Sequence, residues 1–294
     1  MKSYRYIMIS SVLVLTVLQA KCIVPSSVID LVQSASVKSL KKYRDVKRNF
    51  GALKNLCMHE ISFKEGKYNW TMLLVTHPKS PRGAFWFLPH DNENTAFDAA
   101  VYATIKYGGG FLAVMANDKR HFQGQDPNRN FGDTAGTAKI CKKQKYPAPR
   151  YSKLVFDVID TFRSGAPYLA LHNNKDGWYK NGGQGGVSIL NSSSSVQSYP
   201  ATKGIDKNTR GLRDEDSLVY MAGYGNNPNQ SKLNRLLRLG LNTKYEVIHK
   251  SRNDCSMSNY VVLRKGTTDY YNIETEHGDL STHKKMIDKI MTIF

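Results

Sequence analysis

Large apolar residues gather in short runs that end abruptly at turn-forming residues, and polar side chains able to do chemistry stand just beyond several of those ends. Gly83 to Leu88 reads as a buried strand that stops at Pro89 and delivers His90, Asp91, Asn92 and Glu93. Thr95 to Lys106 has helical periodicity and stops before Gly108-Gly109-Gly110, and Phe111 to Met115 is the next strand. Upstream, Val28, Ile29, Leu31, Val32, Val37 and Leu40 recur at helical spacing, so Ser26 to Asn49 is expected to be a helix. Met58 to Phe63 and Tyr68 to Thr76 read as a strand pair around Lys64-Glu65-Gly66-Lys67. Downstream, the pattern predicts a polar loop from Ala116 to Gly132, a helix over Ser152 to Arg163, and a short strand Tyr168 to Leu171 running into His172. Asp176 to Gly211 is a long irregular excursion. Then come a strand at Leu218 to Met221, a helix at Leu233 to Leu241, strands at Tyr260 to Leu263 and Asp269 to Glu276, and a closing helix over Thr282 to Ile293. The strand, helix, strand order is that of a βαβ unit, which predicts an α/β fold with a largely parallel sheet in one domain.

Strand ends of open α/β sheets are where such folds place their chemistry. His90 and Glu93 stand at one such end and His172 at another, and a carboxylate, Glu274, lies late in the apolar strand Tyr270 to Ile273. Two histidines and a carboxylate are ligand types that zinc accepts, and three protein ligands leave a position open for water. A glutamate outside the ligand set can take the proton of that water, whose pKa the metal lowers to roughly 7. A surface turn carrying an incidental His and Glu is the plainer reading of the H-x-x-E stretch alone.

Composition describes an ordinary globular chain, with 40% hydrophobic and 22% charged residues over 294 positions. Charge changes the picture: 42 Lys+Arg against 24 Asp+Glu give +18, which favours anionic partners or surfaces. Lys2 and Arg5 precede an apolar run from Ile7 to Leu18, and Ala20 offers a cleavage point. That run is too short to span a bilayer, so residues 1–20 are expected to be a signal peptide and 21–294 an exported catalytic domain without a membrane anchor. Removing the two leader charges leaves +16 (18 minus 2). Cys22, Cys57, Cys141 and Cys255 then allow up to two disulfides among three pairings, and their spacing matches no zinc knuckle.

Taken together, His90-Asp91-Asn92-Glu93, Arg120, Asp126-Pro127-Asn128-Arg129-Asn130-Phe131, Leu169-Ala170-Leu171-His172 and Tyr271-Asn272-Ile273-Glu274 resemble, in order, the motifs of the zinc metallocarboxypeptidases of the carboxypeptidase A and B type. The resemblance extends to their bacterial relatives that trim cell-wall peptides, and it covers about 190 residues. It implies a mixed, mostly parallel central sheet with helices on both faces and one zinc ion held by His90, Glu93 and His172. Glu274 would act as general base, with Glu276 as its competitor two residues on. Arg120 would stabilise the oxyanion. Asn128 and Arg129 would grip the substrate's terminal carboxylate, which suits a guanidinium fork. Tyr245 and Tyr260 are candidates for the tyrosine that covers substrate in the digestive members, and neither matches well.

Two function classes follow. One is an exported zinc carboxypeptidase acting on peptides with a free C-terminal carboxylate, in particular peptidoglycan stem peptides beside an anionic wall. The other is a zinc amidohydrolase of the aspartoacylase and succinylglutamate desuccinylase type, which resembles the same ligand pattern. A basic nucleic-acid-binding protein needs no ligand set and is disfavoured, so no nucleic-acid partner is expected.

Overall fold

The computed structural model describes residues 22–33, 38–134, 137–138, 144, 146–176, 186–206 and 210–294. The expected leader, residues 1–20, lies outside them, as do parts of the 176–211 excursion. Twelve strands are described: β1 Val32–Gln33, β2 Cys57–Glu65, β3 Tyr68–Thr76, β4 Phe85–Leu88, β5 Gly110–Val114, β6 Asp133–Thr134, β7 Thr137–Ala138, β8 Tyr168–Asn174, β9 Val196–Tyr199, β10 Leu218–Tyr224, β11 Asn242–Ile248 and β12 Tyr270–Glu276. The α-helices are α1 Arg44–Arg48, α2 Phe50–Leu53, α3 Asn94–Tyr107, α4 Pro149–Phe162, α5 Gln230–Arg238, α6 Met257–Leu263 and α7 Leu280–Ile290.

Ten strands form one sheet in the order β1-β2-β3-β5-β4-β8-β12-β10-β11-β9, while β6 and β7 pair separately. The expectation of a mostly parallel sheet needs correction. Four of the neighbouring pairs are parallel, β4/β5, β4/β8, β8/β12 and β10/β11. Five are antiparallel, β1/β2, β2/β3, β3/β5, β10/β12 and β9/β11. The cause lies in the connections, because β2 and β3 join through the two residues Gly66 and Lys67, and so short a link permits only an antiparallel hairpin. The parallel strands β4, β5, β8 and β12 make up the centre, and helical crossovers join them.

Period-two alternation divides the core between the two faces of the sheet. Leu73, Trp86, Phe111, Leu169, Leu171 and Ile273 pack on one side against Phe97, Leu233, Leu236 and Ile287 of α3, α5 and α7. Leu74, Phe85, Phe87, Leu112, Ala170 and Tyr270 pack on the other against Val155, Phe156, Ile159, Val261 and Val262 of α4 and α6. At the return from α3 into β5 the chain passes close to β4. A Cβ on Gly109, whose φ is +71°, would stand 1.9 Å from the carbonyl oxygen of Ala84, so only glycine fits there.

Two expected elements differ, and one strand appears where none was expected. Ser26 to Asn49 is no single helix: a 3-10 turn at Ser26–Leu31 gives way to β1, whose Val32 pairs with Ile61, and α1 starts only at Arg44. Tyr260 to Leu263 belongs to α6, because Ser256 accepts from the backbone N–H of Asn259 and starts a helix at Met257. β11 falls on a stretch given no element from sequence, although Asn-Thr-Lys-Tyr-Glu-Val-Ile alternates in the manner of a half-buried strand. Cys22 is bonded to Cys57 at the start of β2, with 5.5 Å between Cα atoms, and Cys255 is disulfide-bonded as well. Among the described residues, no helix is long and apolar enough to cross a membrane.

Candidate metal centre

β4 ends at Leu88, and the turn after it is held from two sides. Asp91 accepts the backbone N–H of Ala116 at 2.6 Å and of Asp118 at 2.9 Å, which ties the turn to the chain leaving β5 and brings the Arg120 loop alongside. Glu93 occupies the N-cap position of α3, where the positive end of the helix dipole favours a carboxylate. His172 comes from the neighbouring strand β8, on the side of the sheet that carries Ala170.

His90, Glu93 and His172 are all buried, and one ligand atom from each lies within 4.8 Å of the others. Nδ1 of His90 stands 2.7 Å from Oε1 of Glu93 and 3.2 Å from Nδ1 of His172, which is itself 3.0 Å from Oε2 of Glu93. Burial alone would raise the Glu93 carboxyl, but the two histidines outweigh it and hold the group well below the usual carboxylate range. Around this trio stand groups that orient it. Nε2 of His90 meets Oδ1 of Asp126 at 2.8 Å, and the backbone N–H of Asn173 donates to Oε2 of Glu93 at 3.0 Å. A carboxylate on the far nitrogen of a ligating imidazole fixes its ring and raises its basicity. Asp126 would act in this way on a metal-bound His90, a role that sequence reasoning did not assign; its place inside the hexapeptide was the available signal.

The other candidates divide into two groups. Glu274 is the direct register partner of His172 in the parallel pair β8/β12, so the two lie side by side on one face. Asn272 donates to Oε1 of Glu274 at 3.1 Å. Burial, helped by the like charge of Glu93 and opposed by His172, raises the Glu274 carboxyl above its ordinary value. Arg120 donates through Nη1 to Oε1 of Glu93 at 3.0 Å and lies 3.5 Å from Asp126 through Nη2. Glu93, Arg120, His172, Glu274 and His277 line a common cavity of about 520 Å³. Asn128 and Arg129 stand apart from that lining. The side-chain oxygen of Asn128 accepts the backbone N–H of Met257 at 3.0 Å, and Arg129 lies 3.5 Å from Asp254. Glu276, the competitor of Glu274, is taken by Arg210 at 3.2 and 3.3 Å. Tyr245 and Tyr260 are both buried in the core and line no part of the cavity.

The donor set fits a divalent metal: two imidazoles and a carboxylate converge, buried, with Nε2 of His90 and Oε2 of Glu93 already bonded to neighbours. Neither a family model nor a curated protein matches the sequence. Among solved structures, a candidate metallopeptidase from Shewanella amazonensis is 14% identical, with 90% of this chain and 96% of that one covered and a TM-score of 0.45. A second, from Shewanella baltica, is 14% identical over 88% and 91% of the two chains, with a TM-score of 0.43. A metallo-carboxypeptidase from Burkholderia cenocepacia is 9% identical over 88% and 69%, with a TM-score of 0.43.

Proposed function

We propose that the protein is an exported zinc carboxypeptidase that removes the C-terminal residue of a peptide. The observation that carries the reading is the register of β8 and β12, which sets Glu274 beside His172 while Glu274 stays outside the cluster of His90, Glu93 and His172. A metal held by those three residues supplies Lewis acidity towards the scissile carbonyl. Glu274, raised by burial, takes the proton of the attacking water and returns it to the leaving amine. Arg120, on the cavity wall, donates to the oxygen that becomes negative. Arg129 offers a guanidinium fork to the terminal carboxylate, and Asn128, whose oxygen is occupied by α6, offers its amide N–H donors. Export is supported by the leader-like residues 1–20 and by the Cys22–Cys57 bond, since disulfides persist in oxidising compartments. The +16 charge left after loss of the leader (18 minus 2) suits an anionic wall, and peptidoglycan stem peptides are the substrate we favour.

The test is mass spectrometry of matched peptides, free acid and C-terminal amide, incubated with the zinc-loaded mature protein and with Glu274→Gln. Loss of one residue from the free acid alone, absent in the variant, is expected. Equal cleavage of acid and amide, or hydrolysis confined to small N-acyl amino acids, would replace the carboxypeptidase reading with the deacylase one.

A further inference from the structure

Residues 186–191 link the metal cavity to a buried lysine that none of the roles above uses. At the start of this segment Gly186 and Val187 line the cavity, and among the described lining residues Val187 is the one apolar side chain. Beyond Val187 the chain turns over the edge of the sheet. Ser188 and Ile189 are buried, and the N–H of Ile189 donates to the carbonyl of Glu215 at 2.7 Å. The N–H of Asn191 returns to the carbonyl of Ser188 at 3.3 Å, which closes the turn.

Against this turn stands Lys244 of β11. Its ammonium donates to the carbonyl oxygen of Ser188 at 2.5 Å and to that of Asn191 at 2.6 Å. Ser198 of β9, the register partner of Lys244, donates through Oγ to the same Asn191 carbonyl at 2.6 Å. Lys244 is only 3% exposed, and lysine is rarely buried so fully. Burial pushes its pKa down to about 8, against the opposing pull of Glu215. Both of its bonds end on main-chain carbonyls, so the ammonium fixes the path of the backbone, through contacts stronger than neutral hydrogen bonds. An apolar side chain at this position would cover the edge without desolvating a charge, but it would leave two carbonyls unheld. Lys244 also projects on the cavity side of the sheet. It is paired in register with Tyr220 of β10, and Tyr220 with Asn272 of β12, the donor to Glu274. Residues paired in register share a face, and so do residues two apart on one strand, so Lys244 and Glu274 point the same way.

Resting on the carboxypeptidase reading, we propose that Lys244 is a positioning residue for substrate: by holding the turn 188–191 it sets Val187 against the substrate as the apolar wall of an otherwise polar cavity. Val187 is the contact, and Lys244 acts through it. An aliphatic wall binds ground state and transition state alike, so losing its position raises KM and leaves kcat nearly as it was.

The experiment measures KM and kcat on the free-acid peptide for Lys244→Met, Lys244→Arg, Val187→Ala and the combination of Lys244→Met with Val187→Ala, with zinc content followed in each. Lys244→Met and Val187→Ala are each expected to raise KM about tenfold, as for one small apolar contact, with kcat within about threefold and zinc retained. Lys244→Arg keeps a cation that donates to carbonyls and should hold KM within about threefold of wild type. Because Lys244 acts through Val187, the combined variant should stay near about tenfold, where independent effects would multiply to about a hundredfold. An unchanged KM in Lys244→Met, a fall in kcat with loss of zinc, or multiplying effects in the combined variant overturns the proposal. Hydrogen exchange reads the clamp without turnover. The amides of Ile189 and Asn191 should exchange at least about tenfold faster in Lys244→Met, or in Lys244→Gln should Lys244→Met not fold, with those of β8 and β12 unchanged. If wild type cleaves no peptide, the carboxypeptidase reading falls by itself. Exchange then decides on the clamp: faster exchange confined to 186–191 upholds it, and unchanged exchange rejects it.

Discussion

Glu274 and Glu276 stand two apart on the same strand face, and their neighbours give them different work. Glu274 sits beside His172 on the cavity wall and accepts an amide N–H of Asn272. Glu276 is clamped by the guanidinium of Arg210. Glu274→Gln should therefore lower kcat by about 10² to 10⁴, the usual contribution of a general base, while zinc content is retained. Glu276→Gln should change kcat less than about threefold on the same argument; a reversed pattern in steady-state assays would transfer the base role. Asp126 acts one bond further out, through Nε2 of His90. Asp126→Asn is expected to weaken zinc binding about 10- to 100-fold, measured by competition with a chelating dye. At this scale the convergence of His90, Glu93 and His172 was legible, because it depends on residue type and on place at a strand end. The sequence was not legible where a role comes from who sits opposite, as with Asp126 and His90.

Elements tell a similar story through their neighbours. β2, β3 and β12 were readable because alternation and a glycine turn mark them directly. β11 was not, because Lys244 and Glu246 within it look like loop residues until each is seen to have its own partner: Lys244 donates to the carbonyl of Asn191 at 2.6 Å, and Glu246 bonds Ser258. α6 was misread as a strand since Tyr-Val-Val-Leu favours β structure, and the Ser256 cap decided otherwise. The Cys22–Cys57 bond closes a separation of 35 residues, so its loss should cost about 4 kcal/mol in the chain-entropy account. Cys22→Ser should show this as a lower midpoint in urea, and an unchanged midpoint would mean that β2 holds its place without the tie. α7 contributes a buried imidazole: Nδ1 of His283 contacts Oγ1 of Thr275 at 3.1 Å, and burial depresses its pKa from 6.5 to about 3. A depressed folded-state value means that the unfolded chain takes up the proton first. The stability due to neutral His283 is thus complete above about pH 6.5 and is lost as pH falls towards 3, at up to about 1.4 kcal/mol per pH unit. His283→Gln should flatten the acid limb of the stability profile between pH 6.5 and 4, and an identical slope in both proteins would contradict this.

For the whole molecule, the α/β class follows from the pattern of runs and the helices on both faces from the family resemblance, but strand direction was correct from neither. Whether neighbours run parallel depends on which strands the chain returns to, and the antiparallel flanks β1-β2-β3 and β9-β11 enclose a parallel centre that carries the site. That arrangement lets residues from Glu93 to Glu274 meet at one cavity, with His90 buried against Glu93 and His172 behind it. In the proposed function His90, Glu93 and His172 together hold one catalytic metal. The direct measurement is metal content after dialysis against dilute zinc, with peptidase activity followed in parallel, for wild type and His172→Ala. The prediction is about one zinc per chain in wild type, activity that rises in proportion to bound zinc, and loss of both in the variant. Full activity in metal-free protein, or an unchanged zinc content in His172→Ala, would contradict it.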